Sequence, residues 1–138
     1  FYDLAFSGVV CPNPNLASGF PDYDQLTPNL TVVDLEIDYP LSRPGGSLAA
    51  WTGFPTGYNF GVRWTGELRI AYAGRYGFSL CSVDGSILFV NSIQVVLNGG
   101  EHMMREEMGA LTLAAGTHSI ELQYFACGQE SGLVFKYR

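Results

Sequence analysis

The sequence predicts an all-β fold: a single antiparallel β-sandwich, jelly-roll-like, spanning residues 1–138. Three observations carry this expectation. Apolar residues recur at every second position in run after run, the period of a strand with one face on a core and one in water. The runs are short and are separated by turns rich in Gly, Asp, Asn and Ser. The connections are too brief to cross over to a parallel neighbour, so adjacent strands run antiparallel. A chain of 138 residues is one domain in size. It buries roughly 68–70% of its unfolded surface, enough for a core without metal help.

Taken in order, Phe1 to Val10 is an apolar opening with the residues of a first strand. Residues 1–20 read as an apolar arm followed by a loop, in which Pro12 and Pro14 stop regular pairing. Alternation resumes from Thr31 to Tyr39. Val33, Leu35 and Ile37 share one face there, while Asp34, Glu36 and Asp38 share the other, a solvated face that discourages edge pairing. Pro40 to Phe60 reads as a long loop packed by Trp51, Phe54, Tyr58 and Phe60, although ring surfaces of this kind also suit sugars and proteins. Val62 to Ile70, Tyr76 to Leu80, Ile87 to Val90 and Ile93 to Leu97 are four strands expected to form one meander. Glu101 to Gly109, with Met103, Met104 and Met108, reads as a loop with one helical turn that plugs an end of the sandwich. Leu111 to Leu113, His118 to Phe125, and Leu133 to Tyr137 complete the strands. Trp64, Leu68, Tyr76, Phe78, Leu80, Leu122 and Tyr124 are the expected core.

Composition narrows the partners. A net charge of -6 with pI near 4.6 disfavours nucleic acid. Charged residues make up 14% of the chain, against about 25% in typical domains, so the surface is bland and suits coverage by neighbouring subunits or glycans. No apolar run approaches the roughly 20 residues of a membrane-spanning helix. The chain begins directly in strand-like sequence, as a secreted chain does after signal-peptide removal. Asn29-Leu30-Thr31 is an N-glycosylation sequon in a Pro-flanked loop. Three cysteines fit one disulfide and one thiol, and none has metal-site spacing.

No catalytic constellation is visible. His102 and His118 lie beside no Ser or Cys nucleophile motif, and nothing singles out an acid/base pair among thirteen carboxylates. The expectation is therefore a protein that is not an enzyme.

The central motifs Arg63-Trp64-Thr65-Gly66, Gly74-Arg75-Tyr76-Gly77-Phe78 and Ser82-Val83-Asp84-Gly85-Ser86-Ile87-Leu88-Phe89 resemble one extracellular family. So do Gly100-Glu101-His102, Leu113 to His118, Tyr124-Phe125 and Ser131-Gly132-Leu133. It is the protective-antigen fourteen-kilodalton domain family, named from the anthrax toxin component. The resemblance implies a non-catalytic extracellular β-sandwich. In its sugar-binding members, two consecutive aspartates hold a calcium ion that chelates sugar hydroxyls. Here Asp84 matches the second aspartate, but Val83 replaces the first and removes a charged oxygen ligand. The following ligand loop reads Ala126-Cys127-Gly128-Gln129-Glu130-Ser131, where Glu130 is a substitute ligand and no asparagine is present. The calcium site is thus degraded, and no cofactor is expected. The same resemblance brings the loops after Leu80 and Phe125 together, implying a Cys81–Cys127 disulfide with Cys11 as the alternative partner.

Two functions of different class follow. The first is a structural module of a surface layer or filament, in which Phe1, Tyr2, Leu4, Phe6, Val9 and Val10 pair either with their own sheet or with a neighbouring copy. The alternative is a carbohydrate-binding module using Asp84, Trp51, Tyr58, Gln129 and Glu130. Expected partners are copies of itself or other extracellular proteins, with glycans under the second reading.

Overall fold

A computed structural model describes residues 2–3 (backbone), 19–42, 59–128 and 130–138. The described strands are β1 (Tyr2–Asp3), β2 (Asp38–Ser42), β3 (Phe60–Ile70), β4 (Gly74–Ser82) and β5 (Ser86–Val90), then β6 (Ile93–Asn98), β7 (Arg105–Leu113), β8 (Gly116–Ala126) and β9 (Ser131–Tyr137). They form two antiparallel sheets, ordered β1-β3-β8-β5-β6 and β2-β9-β4-β7, and these pack as a sandwich. A 3-10 turn at Tyr23–Gln25 is capped by the Asp22 side chain.

The four central runs are strands, but they are not one meander. β3 belongs to the five-stranded sheet, β4 to the four-stranded sheet, and β5 returns to the first. Connections of three residues suffice to step from one sheet to the other, so brevity excludes a parallel crossover without enforcing a hairpin. Each strand instead finds partners from late in the chain. β3 pairs with β8 over its full length, from Phe60 opposite Ala126 to Ile70 opposite Gly116, and β4 pairs with β7 and β9. β5 and β6 do form a hairpin. Its Asn91-Ser92 turn has φ values of 50° and 62°, the conformation a two-residue turn needs to match strand twist.

The core lies between the sheets. Phe60, Val62, Leu68, Ile70, Leu88, Leu122 and Tyr124 meet Phe78, Leu80, Leu113 and Leu133 across it. Five of the seven expected core residues are buried, and Trp64 and Tyr76 pack partly exposed at its margin. A second, smaller cluster sits on the outer face of the five-stranded sheet, where Phe20 and Tyr23 cover Phe125.

Three other expectations are corrected. Residues 31–37 form no strand, and Val33 and Leu35 are almost fully exposed. The segment is anchored instead at Leu30 and Ile37, which pack on the core, and at Asp34, which accepts a hydrogen bond from Trp64 Nε1 at 2.6 Å. Alternation without a partner strand does not make a strand. Pro40 to Ser42 belong to β2 rather than to a loop. Pro40 is tolerated because β2 is an edge strand and its register shifts between Tyr39 and Ser42. Finally, the loop after β6 ends at Met104, and Met108 and Gly109 lie within β7. In the opening arm, Tyr2 and Asp3 pair with Gly61 and Phe60 of their own sheet. Phe1, Leu4, Phe6, Val9, Val10, Trp51, Tyr58 and Gln129 lie outside the described residues.

Candidate functional site

Three connections meet at one end of the sandwich: Val83–Gly85 between β4 and β5, Gly99–Met104 between β6 and β7, and Cys127–Glu130 between β8 and β9. Asp84 joins them. Its Oδ1 accepts the His102 N–H at 3.0 Å, and its Oδ2 accepts the Cys127 N–H at 2.8 Å. The Asp84 N–H in turn donates to the His102 carbonyl at 2.9 Å. Asp84 is buried and adopts φ 60°, a conformation that aspartate tolerates better than most residues. Charge-assisted bonds of this kind are among the stronger ones in proteins. Both carboxylate oxygens therefore serve the loops themselves. Val83 is buried as well, and its N–H donates to the Gly132 carbonyl at 2.9 Å.

Neighbouring residues hold Asp84 in place. A Cβ at Gly85 would come within 2.1 Å of the Phe125 ring, so only glycine lets the loop lie on that ring. Beneath it, the Ser82 hydroxyl donates to the Asp84 carbonyl at 2.8 Å and lies 2.8 Å from the Ser86 hydroxyl. Asn98 Nδ2 donates to Ser82 Oγ and to the Arg105 carbonyl, while Arg105 Nε donates to Asn98 Oδ1. This buried polar layer is satisfied internally and rigidifies the strand ends. The Tyr124 hydroxyl accepts the Gly132 N–H at 3.2 Å, and burial pushes its phenol far above the ordinary tyrosine range.

Above this layer is an open recess of about 320 Å³, lined in part by Val83, Asp84, Glu101, His102 and Glu130. His102 Nδ1 lies 2.7 Å from the Met103 carbonyl. A carbonyl only accepts, so Nδ1 carries the proton, and in the neutral ring Nε2 presents a bare lone pair. That Nε2 is buried and has no hydrogen-bond partner. His118 differs, since both of its ring nitrogens are engaged, with Asn91 Nδ2 and with the Ala114 carbonyl.

Of the sequence-derived site residues, the structure brings Val83, Asp84 and Glu130 together. Asn29 is exposed in irregular structure. The Cys81–Cys127 disulfide is not formed. Cys81 is a free thiol, and the reason is strand alternation. Phe78, Leu80 and Ser82 of β4 point into the sandwich, so Cys81 points outward from the four-stranded sheet, opposite Glu106 and Val134. Burial raises the Cys81 thiol above its usual value, the Glu106 charge adds to that rise, and Lys136 opposes it. Cys127 directly follows β8, which ends at Ala126 in the other sheet, and is disulfide-bonded, so its partner is a cysteine other than Cys81. Sequence reasoning placed Asp84 but missed its partners, because His102 and Cys127 lie 18 and 43 residues away with no local signal linking them.

The described strands form a β-sandwich whose loops gather a recess at one end. The chain is a member of the PA14 domain family, whose model matches residues 47–137. A PA14 sugar-binding domain from an RTX adhesin is 30% identical, with a TM-score of 0.54 over 59% of this chain and 46% of that one. An anti-sigma factor domain-containing protein from Clostridium clariflavum shares the fold at 24% identity, with a TM-score of 0.65 over 86% of this chain and 39% of its own. The GH31 alpha-xylosidase from Xanthomonas citri does so at 21% identity and a TM-score of 0.57, over 75% of this chain but 12% of its own. The chain thus spans less than half the length of each of these structures. No curated protein matches it. No helix among the described residues is long and apolar enough to cross a membrane.

Proposed function

We infer that this chain is a non-catalytic extracellular carbohydrate-binding module that takes neutral glycans at its loop end without calcium. The observation that carries this reading is the recess itself. It gathers the hydrogen-bonding residues Asp84, Glu101, His102 and Glu130 around one open space, as sugar sites do. Asp84 supports the calcium-free part, since its two oxygens already hold the loops that a cation would otherwise organise. The sugar-binding PA14 domain of the RTX adhesin supports the ligand class. Membership in the PA14 domain family supports binding rather than catalysis.

A glycan array probed with the domain in a chelator tests this reading. Binding to neutral glycans in chelator, lost in His102→Leu, is the expected result. Binding that appears only with added calcium contradicts it.

A structural role in an extracellular assembly is the second reading. It is favoured by the low charge content and by Val33, Leu35, Tyr72 and Met108, large apolar side chains held in water. Donation of the N-terminal arm to a neighbour is not needed for it, because Tyr2 and Asp3 pair within their own sheet. Light scattering of the concentrated domain separates the readings: a monomer at every concentration excludes assembly.

A further inference from the structure

A second recess lies away from the loop end, on the outer face of the five-stranded sheet. Leu122, Tyr124 and Ala126 of β8 point into the core, so Ser119, Glu121 and Gln123 point outward. Strand register aligns them with their neighbours. Thr65 of β3, Glu121 of β8 and Phe89 of β5 form one cross-strand row, and Gln123 lies in the next. Together with Ser92 and Ser119 these residues border a cavity of about 400 Å³. Phe89 is half-buried, presenting part of its ring, and the Gln123 amide donates to Glu121 Oε1 at 2.7 Å. That bond orients the carboxylate and leaves its remaining lone pairs directed outward.

We propose that this face is a second, calcium-independent sugar-contact site, selective for a neutral pyranose. An apolar ring beside a few fixed polar groups is how small-ligand sites combine affinity with orientation. The C–H face of a pyranose lies on Phe89, and its hydroxyls donate to Glu121 and exchange hydrogen bonds with Gln123, Thr65 and Ser119. Charge sets the selectivity. Glu121 is the carboxylate of the recess, whereas the nearby Arg63 guanidinium is held by Asp24 at 2.6 Å. Anionic sugars are therefore repelled without a compensating cation. The site stands apart from the loop end, so it holds or fails independently of the reading proposed above.

The test uses the whole domain in chelator and saturation-transfer NMR with methyl glucoside, methyl galactoside and methyl mannoside at about 10 mM, suited to weak sites. Two variants separate the sites: His102→Leu alters the loop end, and Phe89→Leu keeps an apolar side chain but removes the ring face. Ring C–H signals from at least one neutral glycoside that persist in His102→Leu, and fall about fivefold or more in Phe89→Leu, are expected. Glucuronate is expected to give no signal. Signals abolished by His102→Leu and unchanged by Phe89→Leu overturn the second site and leave the loop-end reading intact. No signal from any glycoside overturns the second site as well. Gln123→Ala, an exposed-face change that does not touch the core, guards against misfolding of Phe89→Leu: an unaltered signal in that folded variant also counts against the proposal.

Discussion

Replacing Asp84 with alanine removes both acceptors that draw the three loops together. Hydrogen bonds to a charged group contribute about 1.5–3 kcal/mol each. The lower figure applies here, because His102 and Cys127 lie in half-exposed loops that water reaches. Alanine at φ 60° adds about 1 kcal/mol of backbone strain that aspartate largely escapes. The sum is about 4 kcal/mol, or about 15 °C in Tm for a domain of this size. Asp84→Asn keeps the backbone preference and one acceptor oxygen, so it should lose roughly half as much. Differential scanning calorimetry of the three proteins, each with chelator and with calcium, measures both effects. The expected pattern is a stepwise fall from wild type through Asp84→Asn to Asp84→Ala, with calcium leaving wild type unmoved. A Tm for Asp84→Ala within about 2 °C of wild type would refute the staple. So would a calcium-dependent rise in wild type that Asp84→Ala abolishes.

Further outcomes follow from the same geometry. Gly85→Ala should unfold at markedly lower urea than wild type, because its Cβ would overlap the Phe125 ring; an unchanged midpoint would show that Phe125 moves freely. Gly109→Ala should be similarly damaging, since the added carbon would lie 1.9 Å from the Val95 carbonyl oxygen. Peptide mapping without reduction should find Cys81 alkylated and Cys127 joined to Cys11, and a Cys81–Cys127 peptide would contradict this. The raised Tyr124 and Tyr39 phenols have folded-state values above their unfolded ones, from burial and, for Tyr39, also from Asp34. Their contribution is complete below the unfolded value near about pH 10 and is lost as pH rises beyond it. Phenolate absorbance from these two residues should therefore appear together with unfolding, and ordinary titration in a folded protein would argue otherwise.

The strands were legible because their signal is local. Val62 to Ile70 alternates through its whole length and becomes β3. Sheet membership was not legible, since β3 takes its partner from Gly116–Ala126, far along the chain. The misread segment at residues 31–37 shows the limit of periodicity. Val33 and Leu35 alternate correctly, yet nothing pairs with them among the described residues and they stand in water. The candidate site was half legible. Val83-Asp84-Gly85 announced itself by resemblance, while the meaning of Asp84 depends on two backbone amides from distant loops. Cys81 was misplaced for a simple reason: β4 runs on to Ser82, so the alternation of Phe78 and Leu80 carries through position 81 and turns its side chain outward.

The central claim is calcium-free glycan binding at the loop end. Its most direct measurement is a backbone amide shift map of the domain in chelator, titrated with the neutral glycan that binds best on the array. The account predicts the largest shifts at Val83, Asp84, Glu101, His102 and Glu130, with no change when calcium is added. Shifts at these residues that arise only with calcium, or a bound glycan that leaves all five unmoved, would contradict it.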